Sequence, residues 1–382
     1  MRICILTPYA EPEKGACVIR VDSFAEHFKE KGHFVQVLAP RRAAAGNVMG
    51  IKRYSGLLEM MEIIYGGKFD AVLGTSPPMT HNFFALLAAR ASGAKFIIDA
   101  KDPFTYMYTH GGKTMGPKAF LYSLLEKITL ENPDFVLTLN PYNMRKILEN
   151  YIVAGEKITV AMNGTDTKAV KRDAKAGLAI RKRLGLGQGQ KVLIYSGCLG
   201  GKDLGGFAEA IGKSGFAEKH DIALIFMLTF DGTEHAAAEF ERFGAKLVET
   251  GLKERSRIVR NVSYEEVGKY FSAADVGVNS MEGYDTYCFP VKVMDYLAAG
   301  LPVASKSPGG NEDLNSFIDS HKVGFHASDW AGFAEKLRQL LENPSLMKRF
   351  SANATKAANE LSREKTSEKV LRIILEICGN KN

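Results

Sequence analysis

The sequence predicts an α/β protein of two Rossmann-like domains, and three observations carry that expectation. At 382 residues the chain is longer than the roughly 250–300 residues at which a single hydrophobic core stops growing. Short apolar runs alternate with helical patterns, as parallel strands joined by crossover helices require. The alternation breaks at residues 163–190 and then resumes. The expected boundaries are 1–165 for the first domain, 166–362 for the second and 363–382 for a terminal helix, which can pack back on the first domain.

Residues 2–7 read as a short buried strand ended by Pro8. A loop holding Gly15 leads to a helical pattern over 18–31; Gly32 stops it, and 34–39 is a second strand. Such a βαβ unit implies a parallel sheet covered on both faces. Further strands fall at 70–74, 95–99, 135–139 and 158–161, with helices at 82–91, 118–131 and 141–150. Over 163–190, charge and turn formers replace buried strands, from NGTD at the start to GLGQGQ at the end, which marks the crossing between domains. KVLIYSG at 191–197 opens a second series, with strands near 223–227, 256–259, 276–279 and 301–304. Helices lie near 205–213, 233–243, 264–273 and 291–299, and from Trp330 onward the pattern is helical. Two such halves imply a cleft, because sheets of this kind bind ligands outside the carboxyl ends of their strands.

Composition narrows the function classes. The net charge of +7 is divided almost evenly, with 19 basic and 15 acidic residues in 1–165 and 31 and 28 in the rest. Neither half is a polycation, so no nucleic-acid partner is expected. The longest apolar stretches fall short of the roughly 20 residues that span a bilayer. The opening MRICILTPYA reads as a strand and lacks the plan of a signal peptide. Five scattered cysteines, never in CxxC spacing, suit a reducing compartment, so a cytoplasmic location is expected.

The chemistry concentrates in NSMEGYDTYCFPVKVMDYLAAGLPVASKSPGG, residues 279–310. Pro290 stands where the first helical turn should begin, which leaves the backbone N–H groups of Val291 and Lys292 without intrahelical partners. A helix N-terminus attracts anions, and Lys292 adds a point charge. Asp295, three residues on, can share that face and accept hydrogen bonds from a vicinal diol such as a ribose. Phosphate donors beside a diol acceptor describe a nucleotide site. The same residues also suit an ordinary helix start.

On these segments the chain resembles family 4 of the retaining, nucleotide-sugar-dependent glycosyltransferases, which have the GT-B fold. VKVMDYLAAGLPVASKSPGG is similar to the family's site helix, its stop at Gly300 and the strand and glycine turn that follow. YEEVGKYFSAADVGVNS, KVLIYSGCLGGKDLGGF, residues 7–40 and KITVAMNGTD also resemble family segments, in family order. The resemblance implies hexosyl transfer from a nucleoside diphosphate sugar, UDP preferred over GDP, to a hydroxyl of a glycan or lipid-linked glycan, with retention. It assigns acceptor binding to the first domain and donor binding to the second. Donor contacts then fall on Gly15, Gly197, Lys202, Glu282, Tyr287, Pro290, Val291, Lys292 and Asp295. The family's first carboxylate position falls on Tyr287, where Glu282 or Asp285 can substitute only if the preceding loop folds inward, and Cys198 occupies the place of an arginine beside the phosphates. Lys202 is the remaining cation there, with Lys292 or Arg20 able to compensate.

Residues 97–110 carry Asp99, Asp102 and His110 after a buried strand, and Asp102 is assigned, with Lys202, to catalysis, positioning an acceptor hydroxyl. A helix-cap or turn carboxylate is the preferred reading of Asp99 and stands level with the acceptor role for Asp102. No Asp-x-Asp motif lies in a suitable loop, so neither a metal nor a cofactor is expected. The aromatic, lysine-bearing stretch 103–122 admits peripheral contact with the inner face of a membrane, or else is a cleft-lining loop. The departures at Tyr287 and Cys198 leave a second reading open, a transferase-like binding subunit without catalysis. An epimerase of the same form is a third, but no histidine and carboxylate set is arranged for proton abstraction.

Overall fold

A computed structural model describes the chain apart from residues 14, 42–47, 103, 111–114, 188, 201, 213–214, 231, 282–288, 308–310 and 380–382. Met1–Asn163 with Arg363–Asn382 form one compact unit, and Gly164–Ser362 form the other.

The first unit holds seven strands: β1 (Arg2–Leu6), β2 (Phe34–Pro40), β3 (Ile51–Tyr54), β4 (Ala71–Thr75), β5 (Lys95–Ala100), β6 (Phe135–Thr138) and β7 (Ile158–Val160). They pair in the order β3-β2-β1-β4-β5-β6-β7, every neighbour parallel. Alternation of side chains explains why both faces are covered. Ile3, Ile5, Leu73 and Ile97 point to a layer with Val21, Phe24 and Phe28 of helix Ala16–Glu30 and Val370 and Ile374 of helix Arg363–Ile377. Cys4, Leu6, Val72 and Phe96 point the other way, onto Met60, Ile64, Leu86 and Ala89. The terminal helix thus completes the core of the unit that contains the N-terminus.

The second unit holds six strands: β8 (Lys191–Gly197), β9 (Ile222–Leu228), β10 (Ser256–Arg260), β11 (Val276–Ser280), β12 (Val303–Lys306) and β13 (Gly324–Ala327). Their order is β10-β9-β8-β11-β12-β13, again all parallel. Leu193, Tyr195, Leu224 and Phe226 share a core with Phe207, Phe243 and Phe333 from the covering helices. Each unit therefore starts at the centre of its sheet, builds to one edge, returns and builds to the other. The carboxyl ends of the central strands are where such a sheet leaves room for a ligand.

The expected two-sheet α/β architecture is present, with differences of local origin. Residues 163–190 contain a helix, Ala174–Arg183, capped by the Asp173 carboxylate on the Ala176 amide. Its charged face hid the pattern, and its Gly177 lets the helix approach the Ser272 carbonyl, where an added Cβ would lie 2.3 Å away. The edge strand Ile51–Tyr54 and helix Leu57–Gly66 also went unread, because an edge strand of four residues shows too little alternation to be recognised.

One buried ion pair fixes the first unit. Arg20 Nε donates to Asp99 Oδ2 at 2.8 Å and Nη2 to Oδ1 at 2.9 Å, with both side chains inaccessible. Nη1 donates to the Met162 carbonyl at 3.0 Å, so the guanidinium also anchors the end of the unit's Met1–Asn163 segment. This corrects two expectations: Arg20 is committed to Asp99 and supplies no spare cation, and Asp99 is neither cap nor turn. Asp99→Ala is expected to cost about 3–5 kcal/mol in denaturant unfolding by stranding the guanidinium. Arg20→Met with Asp99→Leu should cost clearly less than the two single changes summed.

Candidate active site

The second unit builds its site where β8 ends. Gly197, the last residue of β8, has φ 140°, a left-handed value that glycine tolerates. Opposite it begins helix Val291–Ala298. Pro290 is the residue before that helix, not its first turn as expected. Its carbonyl accepts from the Val293 amide at 3.0 Å, which tightens the turn and leaves the Val291 and Lys292 amides as the helix's opening donors.

Lys292 is the unusual group. Part of its stem reaches the surface, but Nζ is buried and has no hydrogen-bond partner among the described residues. Nζ stands 4.2 Å from the centre of the Tyr195 ring, and a Cβ added to Gly197 would lie 3.2 Å from it. The aromatic face offers some cation–π attraction, but far less than a carboxylate would. Burial pulls the ammonium down to about 7; Lys202 pushes the same way, and the Cys198 sulfur opposes. A buried amine with no anion beside it is driven toward neutrality.

The surroundings hold this arrangement firmly. The Tyr195 hydroxyl donates to the Cys198 carbonyl at 2.8 Å and so shapes the loop after β8. The Tyr296 hydroxyl accepts from the Ser196 amide at 2.9 Å and donates to the Val278 carbonyl at 3.1 Å, tying the helix to β8 and β11. Gly277 makes room for that ring, since a Cβ there would lie 2.4 Å from it. Gly300, at φ 67°, ends the turn after the helix.

The expected residues are brought together unevenly. Gly197, Lys202, Pro290, Val291, Lys292 and Asp295 all lie in the second unit, and Lys202 is close enough to depress Lys292. Asp295 is buried, its Oδ1 accepting from the Thr165 hydroxyl at 2.7 Å and the Tyr264 hydroxyl at 3.3 Å. Its carboxylate therefore also ties Thr165, at the start of the unit, to the site helix. Cys198 is exposed. Glu282, Asp285 and Tyr287 fall outside the described residues. Gly15 and Asp102 belong to the first unit. Gly15, at φ 137°, caps helix Ala16–Glu30, and an added Cβ there would meet nothing within 4 Å. Asp102 follows β5 at the surface, its carboxyl raised by desolvation, opposed by Lys101 and reinforced by Asp99. The His110 side chain is outside the described atoms.

Sequence reasoning missed Lys306, a further cation at the end of β12. Its Nζ lies 4.0 Å from Asp203 and 5.6 Å from the Trp330 ring centre. A basic residue closing a central parallel strand was the available signal. Nearby, Asn279 Oδ1, Ser280 Oγ and Ser307 Oγ are buried without partners among the described residues. The end of this sheet thus gathers cations beside polar atoms that have no partner among the described residues. Among the described residues, no group of three or more His, Cys, Asp or Glu could hold a metal ion.

Comparison with known proteins agrees with this layout. Residues 4–164 match the glycosyl transferase 4-like domain, and residues 178–357 match glycosyl transferases group 1. Over the full chain the fold is similar to sucrose-phosphate synthase from Thermosynechococcus elongatus, at 17% identity, complete coverage of both chains and a TM-score of 0.75. A glycosyltransferase from Rickettsia africae gives 16% identity, 100% and 99% coverage and a TM-score of 0.76. Anabaena HepE in complex with UDP gives 12%, 98% and 100% coverage and 0.76. At these identities the likeness concerns the fold, and that fold is GT-B. A Neurospora crassa GDP-Man:Man(3)GlcNAc(2)-PP-Dol alpha-1,2-mannosyltransferase is 32% identical over 98 residues. That segment is 25% of this chain and spans only 17% of the relative's length.

The Lys292 geometry predicts a pH signature. An unfolded lysine takes up its proton below its ordinary value of 10.5, whereas the folded group stays neutral down to about 7. The ligand-free fold therefore loses stability as pH falls through that window and loses no more below it. Lys292→Met removes the penalty. Its melting temperature should exceed the parent's near pH 7, with the gap closing as pH rises toward 10.5; parallel melting curves would count against the assignment.

Proposed function

Because the chain is a GT-B glycosyltransferase of the 4-like type, we propose that it moves a hexosyl residue from a nucleoside diphosphate sugar to a hydroxyl of a glycan or lipid-linked glycan, with retention at the anomeric carbon. The observation that carries this reading is the buried Lys292 Nζ, without a partner among the described residues, facing Gly197 beside Lys202. A diphosphate supplies the anion that the amine lacks. Its arrival recharges Lys292, and the Val291 amide and Lys202 complete the cradle. Asp295 is assigned to the ribose. UDP is preferred over GDP; the UDP complex of Anabaena HepE supports that preference, whereas the Neurospora relative is named for GDP-mannose.

In the proposed reaction the bond from the anomeric carbon to the diphosphate breaks, and the acceptor oxygen bonds the same face. The acceptor's proton passes to the departing diphosphate oxygen, so no strong base is required. Lys202 and Lys292 neutralise the charge that develops on the leaving group, where preorganised cations act most strongly. Asp102 positions the acceptor hydroxyl. The competing reading, a binding subunit without catalysis, draws on the exposed Cys198 standing where the resemblance expects an arginine.

Contact with a bilayer surface belongs to the same proposal. No helix among the described residues is long and apolar enough to cross a membrane. Helix Pro117–Glu131, however, exposes Phe120 at 63%, Leu121 at 57% and Leu124 at 43%, with Lys118 and Lys127 also exposed. An apolar stripe edged by lysines suits the interface of an anionic membrane.

Two measurements test the proposal. In calorimetric titration with UDP, Lys292→Met and Lys202→Met should each weaken binding by about tenfold or more, the loss of a charged hydrogen bond, and Asp295→Asn should weaken it as well. Binding that survives all three changes would remove the site, and binding without turnover over a broad acceptor panel would favour the non-catalytic reading. Sedimentation with vesicles containing anionic lipid should retain the parent chain and release Phe120→Glu/Leu124→Glu; equal retention would end the membrane proposal.

A further inference from the structure

Trp330, the chain's single tryptophan, opens helix Trp330–Leu341, and its indole Nε1 donates to Asp203 Oδ2, 127 residues away in sequence. Asp203 directly follows Lys202, the cation assigned to the diphosphate. The other carboxylate oxygen, Oδ1, accepts from the Gly206 amide at 2.7 Å, at the start of helix Leu204–Gly212. Lys306 Nζ, at the end of β12, stands 4.0 Å from Oδ2. One carboxylate therefore joins the loop after β8, a strand end and two helices.

The packing leaves the indole little room to move. Its ring centre lies 5.7 Å from that of Phe207 and 5.2 Å from that of Phe333, and the two phenylalanines meet edge to face at 6.0 Å. Both belong to the buried core of the second unit. Gly206 admits the bond, since an added Cβ there would lie 2.3 Å from Trp330 Nε1 and 2.4 Å from Asp203 Oδ2. The contact is thus built by the core, the glycine and the carboxylate together.

Lys202 is held through its backbone. Its amide donates to the Leu199 carbonyl at 3.2 Å, and its carbonyl accepts from the Leu204 amide at 2.9 Å. The Tyr195 hydroxyl pins the start of the same loop at the Cys198 carbonyl, and Asp203 pins its end. A cation placed before its anion arrives spares binding part of the ordering cost.

We infer that Asp203 and Trp330 are positioning residues of the donor site, acting through Lys202 to set its ammonium for the diphosphate. Neither residue needs a contact of its own with the donor. The inference rests on the proposed role of Lys202.

Calorimetric titration of the full chain with UDP tests this through a double-mutant cycle. Trp330→Phe keeps a ring but loses the donor, and it should weaken UDP by about three- to tenfold, the part of one hydrogen bond that reaches Lys202. In a Lys202→Met background the same change should weaken UDP no further, because the cation it positions is gone. Asp203→Asn, which keeps one acceptor oxygen, is a second variant with the same expectation. Equal losses in both backgrounds would mark a merely structural role and overturn the inference, as would undiminished affinity in both variants while Lys202→Met binds weakly. The emission of Trp330 gives a reading that needs no change at the pair. Saturating UDP should shift it in the parent and shift it less in Lys202→Met; equal shifts, or none in the parent, would contradict the coupling. UDP binding that Lys202→Met leaves intact would strike the donor role of Lys202 together with the inference.

Discussion

The site depends on an amine held in a place that its charge disfavours. Lys292 Nζ is enclosed by the Tyr195 ring and the bare Cα of Gly197, with Lys202 as its charged neighbour and no acceptor in reach among the described residues. Left alone, such a group sheds its proton. Given an anion, it becomes one of the stronger contacts available, because the desolvation has already been suffered in folding. Strain of this sort is stored where it is used.

Much of the second unit follows from keeping that amine in position. Tyr296 locks the helix against β8 and β11, and Tyr195 fixes the loop that Gly197 begins. Asp295, one turn along the helix, reaches Thr165 and Tyr264. The ends of β11 and β12 add Lys306 to the same edge, with the Ser280 and Ser307 hydroxyls unpartnered among the described residues. The first unit solves a separate problem with different means. Its buried Arg20 is matched directly by Asp99.

The sequence made part of this legible. Alternating apolar runs located most strands, since strands buried on both faces read as short continuous apolar segments. The helix after Pro290, its stop at Gly300 and the candidate cations Lys202 and Lys292 were visible because they are local patterns. What was not visible depends on residues far apart in the chain. Nothing near Arg20 announces Asp99, and nothing near Lys292 announces that Tyr195 will bury its ammonium. Pro290 lay one residue outside its expected place because a first-turn proline and a capping proline look alike in sequence.

The claim that matters most is the charge state of one amine, and it can be observed directly. NMR titration of the side-chain ζ resonances, assigned by comparison with Lys292→Met, reports Lys292 protonation in the free chain and with saturating UDP. The account predicts a transition near 7 in the free chain that moves well upward when UDP is bound. A Lys292 that titrates at the ordinary lysine value in both states, or near 7 in both, would contradict it.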